Sequence, residues 1–76
     1  MKDLLKYIIS GITKSDEFKI EESTDGDRII FEVKAKPDII GIIIGKKGTT
    51  IRSIRNIIKI QAVLEKKSVS VNVSEF

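Results

Sequence analysis

The sequence predicts a two-layer α+β domain, with a three-stranded sheet covered on one face by helices. Three observations predict it. Apolar residues recur at helical spacing at the start of the chain and again after residue 48, and they alternate in three other stretches. Each alternating stretch has a single apolar face, so the sheet is half-solvated and must bury its other face under helices. The resulting order is helix, two strands, two helices, strand.

The elements follow in turn. Leu4, Leu5, Ile8, Ile9 and Ile12 fall at helical spacing, with Lys2, Asp3, Lys6 and Lys14 on the other face, so an amphipathic helix runs to about Lys14. "EFKIEES" alternates, Phe18 and Ile20 against Lys19 and Glu21, and "DRIIFEVKA" carries Ile29, Phe31, Val33 and Ala35 on one face. "STDGD" lies between them, and its Asp25-Gly26 step signals an antiparallel hairpin. Lys36-Pro37 ends the second strand, because proline removes a ladder donor. Asp38 is placed to cap a short helix through about Ile43, interrupted by glycine. From Thr49 to about Glu65 a longer helix places Ile51, Ile54, Ile57, Ile58, Ala62 and Leu64 on one broad face. Arg52, Arg55, Lys59 and Lys66 share an adjoining stripe about 60° wide. "SVSVNVS" is the third strand, with Val69, Val71 and Val73 inward.

Length and composition bound the function. Seventy-six residues are expected to form one domain spanning 1–76, too small for a cleft between two lobes. There is no Cys and no His, hence no disulfide framework, thiolate site or imidazole base. No apolar run approaches the roughly 18 residues of a membrane span, and the N-terminal stretch lacks a signal-peptide cleavage site. A soluble, cytoplasmic protein is the expectation. No nucleophile–base pair is readable, Asp25 and Asp27 are explained as turn chemistry, and the scattered acids make no metal cage. We therefore expect no enzyme, no cofactor and no metal.

Charge is unevenly distributed. Residues 1–35 hold six Lys/Arg and eight Asp/Glu, giving −2. Residues 36–67 hold eight Lys/Arg and two Asp/Glu, giving +6, and Glu75 brings the total to +3. The basic half also contains "IIGIIIGKKGTTIRSI", in which an aliphatic run breaks into Gly45-Lys46-Lys47-Gly48. A basic half implies an anionic partner. The glycine pattern excludes two nucleotide folds. A P-loop needs four residues between its glycines, whereas Gly41 and Gly45 enclose three; a dinucleotide fingerprint needs glycine where Ile43 stands and a strand before the loop.

A helix–GxxG–helix turn fits every residue. Its glycines allow a tight turn and the close approach of another backbone. Backbone N–H groups at the start of the following helix, near Gly48 and Thr49, would favour a phosphate, and Lys46 and Lys47 would project as mobile cations. Ile40, Ile43, Ile44 and Ile51 flank the turn as core and groove floor, while Gly41 permits helix packing.

"IIGKKGTTI", Ile43 to Ile51, resembles the Ile-Gly-x-x-Gly-x-x-Ile signature of the KH domain, whose GxxG loop clamps about four single-stranded nucleotides. The element order is similar to the type II KH fold, and size and termini resemble the small single-domain bacterial KH proteins of the KhpA type. The resemblance implies a non-enzymatic RNA chaperone or regulator that self-associates or pairs with a larger KH-containing protein. Carried onto this chain, it implies RNA contacts from Ile44, Gly45, Lys46, Lys47, Gly48, Thr49, Ile51, Arg52 and Arg55. The chain departs from the family at Ile42 and Thr49, where members often carry a cation, which implies modest affinity.

Phe18 and Phe31 read as core and Tyr7 as core or its border, leaving no aromatic platform for stacking bases. Base contacts would come from isoleucines and backbone groups, with low specificity, to single-stranded RNA or single-stranded DNA. Ile60 and Val63 lie outside the main face of the 49–65 helix and, with Ile57 and Leu64, suggest a homodimer contact there. The competing function is a protein-interaction module that keeps the fold without RNA binding.

Overall fold

A computed structural model describes all residues, 1–76. Helix α1 spans Lys2–Thr13, strand β1 Phe18–Asp25 and strand β2 Arg28–Ala35. Helix α2 spans Pro37–Ile44, a single 3₁₀ turn Lys46–Gly48, helix α3 Thr49–Leu64 and strand β3 Ser68–Glu75. The sheet order is β1-β2-β3, with β1 antiparallel and β3 parallel to the central strand. The α2–α3 pair is the crossover that a parallel neighbour requires.

Gly26 and Asp27 make the two-residue hairpin link between the paired Asp25 and Arg28. Gly26 has φ 63° and Asp27 does not enter the positive region, which is the primed turn with glycine at its first central position. At the other end of β2, Asp38 is not the cap. Lys36 takes the capping position in extended geometry and Pro37 is the first helical residue, because its fixed φ already suits a helix. Asp38 instead places its carboxylate in the first turn, where the helix dipole favours a negative charge. The helix runs through Gly41 without interruption, and a Cβ there would meet nothing within 4 Å, so Gly41 does not serve helix packing.

The core lies between the helices and one face of the sheet. Phe31, Val33 and Ala35 of β2 are fully buried, with Leu5 and Ile9 from α1, Ile43 from α2 and Ile54 and Ile58 from α3. Val71 is buried, whereas Val69 and Val73 are half-buried because β3 is an edge strand. Three expectations of burial fail. Tyr7 is 79% exposed, pointing away from the side of α1 that carries Leu5 and Ile9. Ile57 and Leu64 are exposed as well, because the sheet and α2 cover a narrower stripe of α3 than its apolar residues span. The open sheet face is polar and internally paired. Lys34 Nζ lies 2.8 Å from Glu21, Ser74 donates to Glu32 at 2.7 Å, and Arg28 donates to Ser70 at 2.6 and 3.0 Å.

The Lys34 ammonium holds the Glu21 carboxyl below the usual carboxylate range, and Glu21 in turn raises Lys34. A lowered carboxyl stabilises the fold above its unfolded value and loses that contribution as pH falls through the lowered one. Both groups face solvent, so Lys34→Met should lower neutral-pH stability only slightly and leave acid stability unchanged, which flattens the acid limb of an unfolding-versus-pH curve. A urea titration should separate the two sides of α3. Ile58→Ala should cost about 2–5 kcal/mol, whereas Ile60→Ala on the exposed side should stay within about 0.5 kcal/mol.

Candidate nucleic-acid interface

The GxxG turn is anchored at both ends by core residues, Ile43 before it and Ile51 after it. Gly45 and Gly48 both take φ 73°, and between them Lys47 also enters the left-handed region at φ 57°. The two glycines answer different demands. A Cβ on Gly45 would lie 2.6 Å from Thr50 Cβ and 3.0 Å from the Thr50 backbone nitrogen, whereas a Cβ on Gly48 would meet nothing within 4 Å. Gly45 is therefore required by contact as well as by conformation, Gly48 by conformation alone.

The turn orients its backbone groups unequally. Gly48 N–H donates to Gly45 O at 3.2 Å, Thr49 Oγ1 donates to Lys46 O at 2.8 Å, and the Thr49 N–H also points to Lys46 O. Arg52 donates through Nη2 to Lys47 O at 3.0 Å and through Nε to Gly48 O at 3.3 Å. Every carbonyl of the turn is thus occupied. No helical or turn bond runs across Gly45 to the Lys46 and Lys47 amides, which stay free. The Lys46 and Lys47 amides are thus unpaired, whereas the Gly48 and Thr49 amides, at the helix start to which the sequence pointed, are bonded within the turn. The Lys46 and Lys47 side chains project into solvent as expected, adding two positive charges around the free amides.

A cleft of about 580 Å³ opens between α3 and β3, lined by Arg55, Asn56, Lys59, Lys67, Ser70 and Asn72. Arg55, the lining residue nearest the turn in sequence, lies six residues along α3 from Thr49, roughly 9 Å at 1.5 Å per residue. Its far wall is the outer edge of β3. Ser68 N–H donates to Asp27 O and Phe76 N–H to Ala35 O, so even-numbered residues turn their backbone groups to β2. Val69, Val71 and Val73 turn theirs outward. Arg55 Nε donates to Val71 O at 3.0 Å, bridging the two walls.

Arg52 and Arg55 are therefore not free members of a cationic stripe: both guanidiniums are tied to backbone carbonyls. Ile44 and Thr49 are exposed beside the turn and Ile51 is buried beneath it, so Ile51 supports the turn rather than facing a ligand. Asn56, Lys67, Ser70 and Asn72 are cleft residues that the sequence reading did not find. A crossover of two helices after β2 signals a parallel β3 beside it, and with β1 on the other side β3 must be an edge bordering α3.

The helix–GxxG–helix turn beside a half-open cleft, in the order α-β-β-α-α-β, defines a KH domain. The chain belongs to the KhpA/KhpB KH-domain family, whose model matches residues 2–73. It is similar to the RNA-binding protein KhpA of Clostridium acetobutylicum, with 39% identity over 74 residues, covering 96% of this chain and 99% of that one. It is similar to the RNA-binding protein KhpA of Chlamydia caviae at 42% identity over 77 residues, covering 99% of this chain and 97% of the relative. The family is not one of enzymes. In the crystal structure of Aquifex aeolicus Era a region superposes at a TM-score of 0.59 with 13% identity, covering 95% of this chain and 30% of that one, a likeness of fold alone.

Gly45→Ala should destabilise the protein by more than Gly48→Ala, whose cost should be about 1–2 kcal/mol, the left-handed penalty of a residue with a Cβ. Thermal melts of the two variants check the order. In Gly45→Ala,Thr50→Gly much of the excess should return, because the obstructing side chain is gone.

Proposed function

We propose that the chain is a single KH unit over 1–76 that binds single-stranded RNA with little sequence preference. It acts in the cytoplasm as an RNA chaperone or post-transcriptional regulator. The observation that carries this reading is the turn itself, where two free amides and two mobile ammonium groups converge while every carbonyl is turned to other donors. A phosphate finds hydrogen-bond donors and positive charge there and no facing acceptor. The adjoining cleft offers Lys59, Lys67, Asn56 and Asn72 for further backbone and base contacts. Relatives of nearly the same length are named RNA-binding proteins, which supports the same reading.

The absence of cations at Ile42 and Thr49 sets the expected strength. With two to four neutralised phosphates, log affinity should fall against log salt with a slope between about −1.4 and −3, near −0.7 per phosphate for single strands. The test is fluorescence anisotropy of a labelled single-stranded RNA pool at low and physiological salt, with wild type and the Lys46→Asp/Lys47→Asp pair. The pair should lose affinity by about tenfold or more, because two attractions become repulsions, with unchanged circular dichroism. Absence of wild-type binding even at low salt overturns the reading, and equal binding by wild type and the pair overturns the clamp.

A second surface supports a protein partner as well. Ile60, Val63 and Leu64 are 64%, 66% and 73% exposed and, with the Lys59 stem, line an apolar depression of about 270 Å³ on the last turns of α3. Exposed aliphatics concentrated on one face mark association sites. We assign this face to a homodimer through the 49–65 helix or to a heterodimer with a larger KH-containing protein. Sedimentation should show concentration-dependent self-association that Ile60→Glu/Val63→Glu removes. A wild-type monomer at high micromolar concentration, alone, rules out the homodimer.

A further inference from the structure

We infer that Arg52 is a positioning residue: it occupies the Lys47 and Gly48 carbonyls at the end of the GxxG turn, so that no acceptor faces a phosphate at the free Lys46 and Lys47 amides, and it does not itself bind phosphate. The inference rests on the RNA-binding reading above and assigns a role within it.

The geometry of the turn carries the argument. Four consecutive carbonyls, Gly45 to Gly48, need donors if none is to face an incoming anion. The Gly48 amide takes the first and the Thr49 hydroxyl the second. The last two, Lys47 O and Gly48 O, are both held by the one guanidinium of Arg52, through two different nitrogens. Arginine suits this task because its planar fork presents several N–H groups in fixed relative directions.

Conformation gives a second reason. Lys47 sits in the left-handed region without being glycine, a state that persists only where the surroundings hold it. Its N–H faces outward unbonded, and Arg52 is the donor at its carbonyl, while the Gly48 N–H of the same planar peptide is bonded to Gly45 O. Without Arg52 the Lys47 carbonyl keeps no donor, and an open acceptor is left beside the place where a phosphate would sit. Thr49 fits the same scheme. The position where the family often carries a cation here supplies a hydroxyl that closes the neighbouring carbonyl, so the first turn of α3 braces the loop instead of adding charge to it.

Two variants separate positioning from phosphate contact. Arg52→Lys keeps the charge but replaces the planar fork, and with it the Nη2 that reaches Lys47 O, by a single ammonium. Arg52→Met removes charge and donors together. Arg52 is exposed, so both should fold, and melting curves confirm it. Affinity for a labelled single-stranded RNA pool is measured across a salt series.

If Arg52 positions the turn, Arg52→Lys and Arg52→Met both weaken binding, by about tenfold, because both lose the bond to Lys47 O. The salt slope is then the same in all three. In the free protein the backbone amide NMR signals of residues 46–48 shift in both variants. If Arg52 is a phosphate contact, Arg52→Lys keeps affinity and slope close to wild type while Arg52→Met weakens binding with a slope shallower by about 0.7, which overturns the inference. Wild-type affinity in both variants overturns it too. A wild type that binds no RNA sinks the RNA-binding reading itself and this role with it. Loss of binding in the Lys46→Asp/Lys47→Asp pair preserves that reading whatever Arg52 does.

Discussion

The close approach of Gly45 to Thr50 is the constraint on which the rest of the site depends. The absence of a Cβ at Gly45 lets the chain leave α2 and enter α3 within four residues while Ile43 and Ile51 both reach the core. Those two anchors fix the direction in which α3 departs. That direction brings Arg55 against the edge of β3 and opens the cleft between them. The apolar run and the polar turn are thus parts of one arrangement: the isoleucines hold the helices down, and the glycines let the four residues between them stand clear of the core.

Much of this was legible in the sequence. The 3.6 and 2 periodicities gave the elements and their order, because a strand buried on one face and a helix buried along one stripe leave those patterns whatever the detailed packing. The turn was legible because two glycines, two lysines and flanking isoleucines satisfy one arrangement and fail two others. Burial at the margins was less legible. A helical projection shows which residues share a face but not how wide a stripe the neighbours cover, so Ile57 and Leu64 read as core and are exposed. Tyr7 lies about 200° around α1 from Leu5, so its exposure was available in the same projection. The destinations of Arg52 and Arg55 were not. Charge and spacing place a long side chain on a helix face, yet both reach past that face to carbonyls on other segments.

Polarity is divided across the molecule in a way that helps orient it. On the open sheet face charges of both signs balance, Lys19, Arg28 and Lys34 against Glu21, Asp25 and Glu32, with Glu21 and Lys34 in an ion pair. On the α2–α3 side, cations outnumber acids and the exposed ammonium groups of Lys46, Lys47, Lys59 and Lys67 have no ion-pair partner. An approaching polyanion therefore meets compensated charge from one direction and uncompensated charge from the other. Orientation is selected before contact, within the roughly 8–10 Å over which such fields survive at physiological salt.

The bond from Arg55 to Val71 has a consequence unrelated to ligands. An unpaired sheet edge is a template on which another strand can be laid, and β3 has outward backbone groups at Val69, Val71 and Val73 with only serine and asparagine between the valines. Such a strand, with high β propensity and no proline, is the kind that extends into intermolecular sheets. Arg55 occupies the middle acceptor of that edge and sets a charged, hydrated group across it. An incoming strand would have to break its ladder at the centre or displace a cation from its carbonyl. One side chain on the neighbouring helix thus guards the edge against sheet growth, and the strand itself carries no charge over Ser68–Ser74.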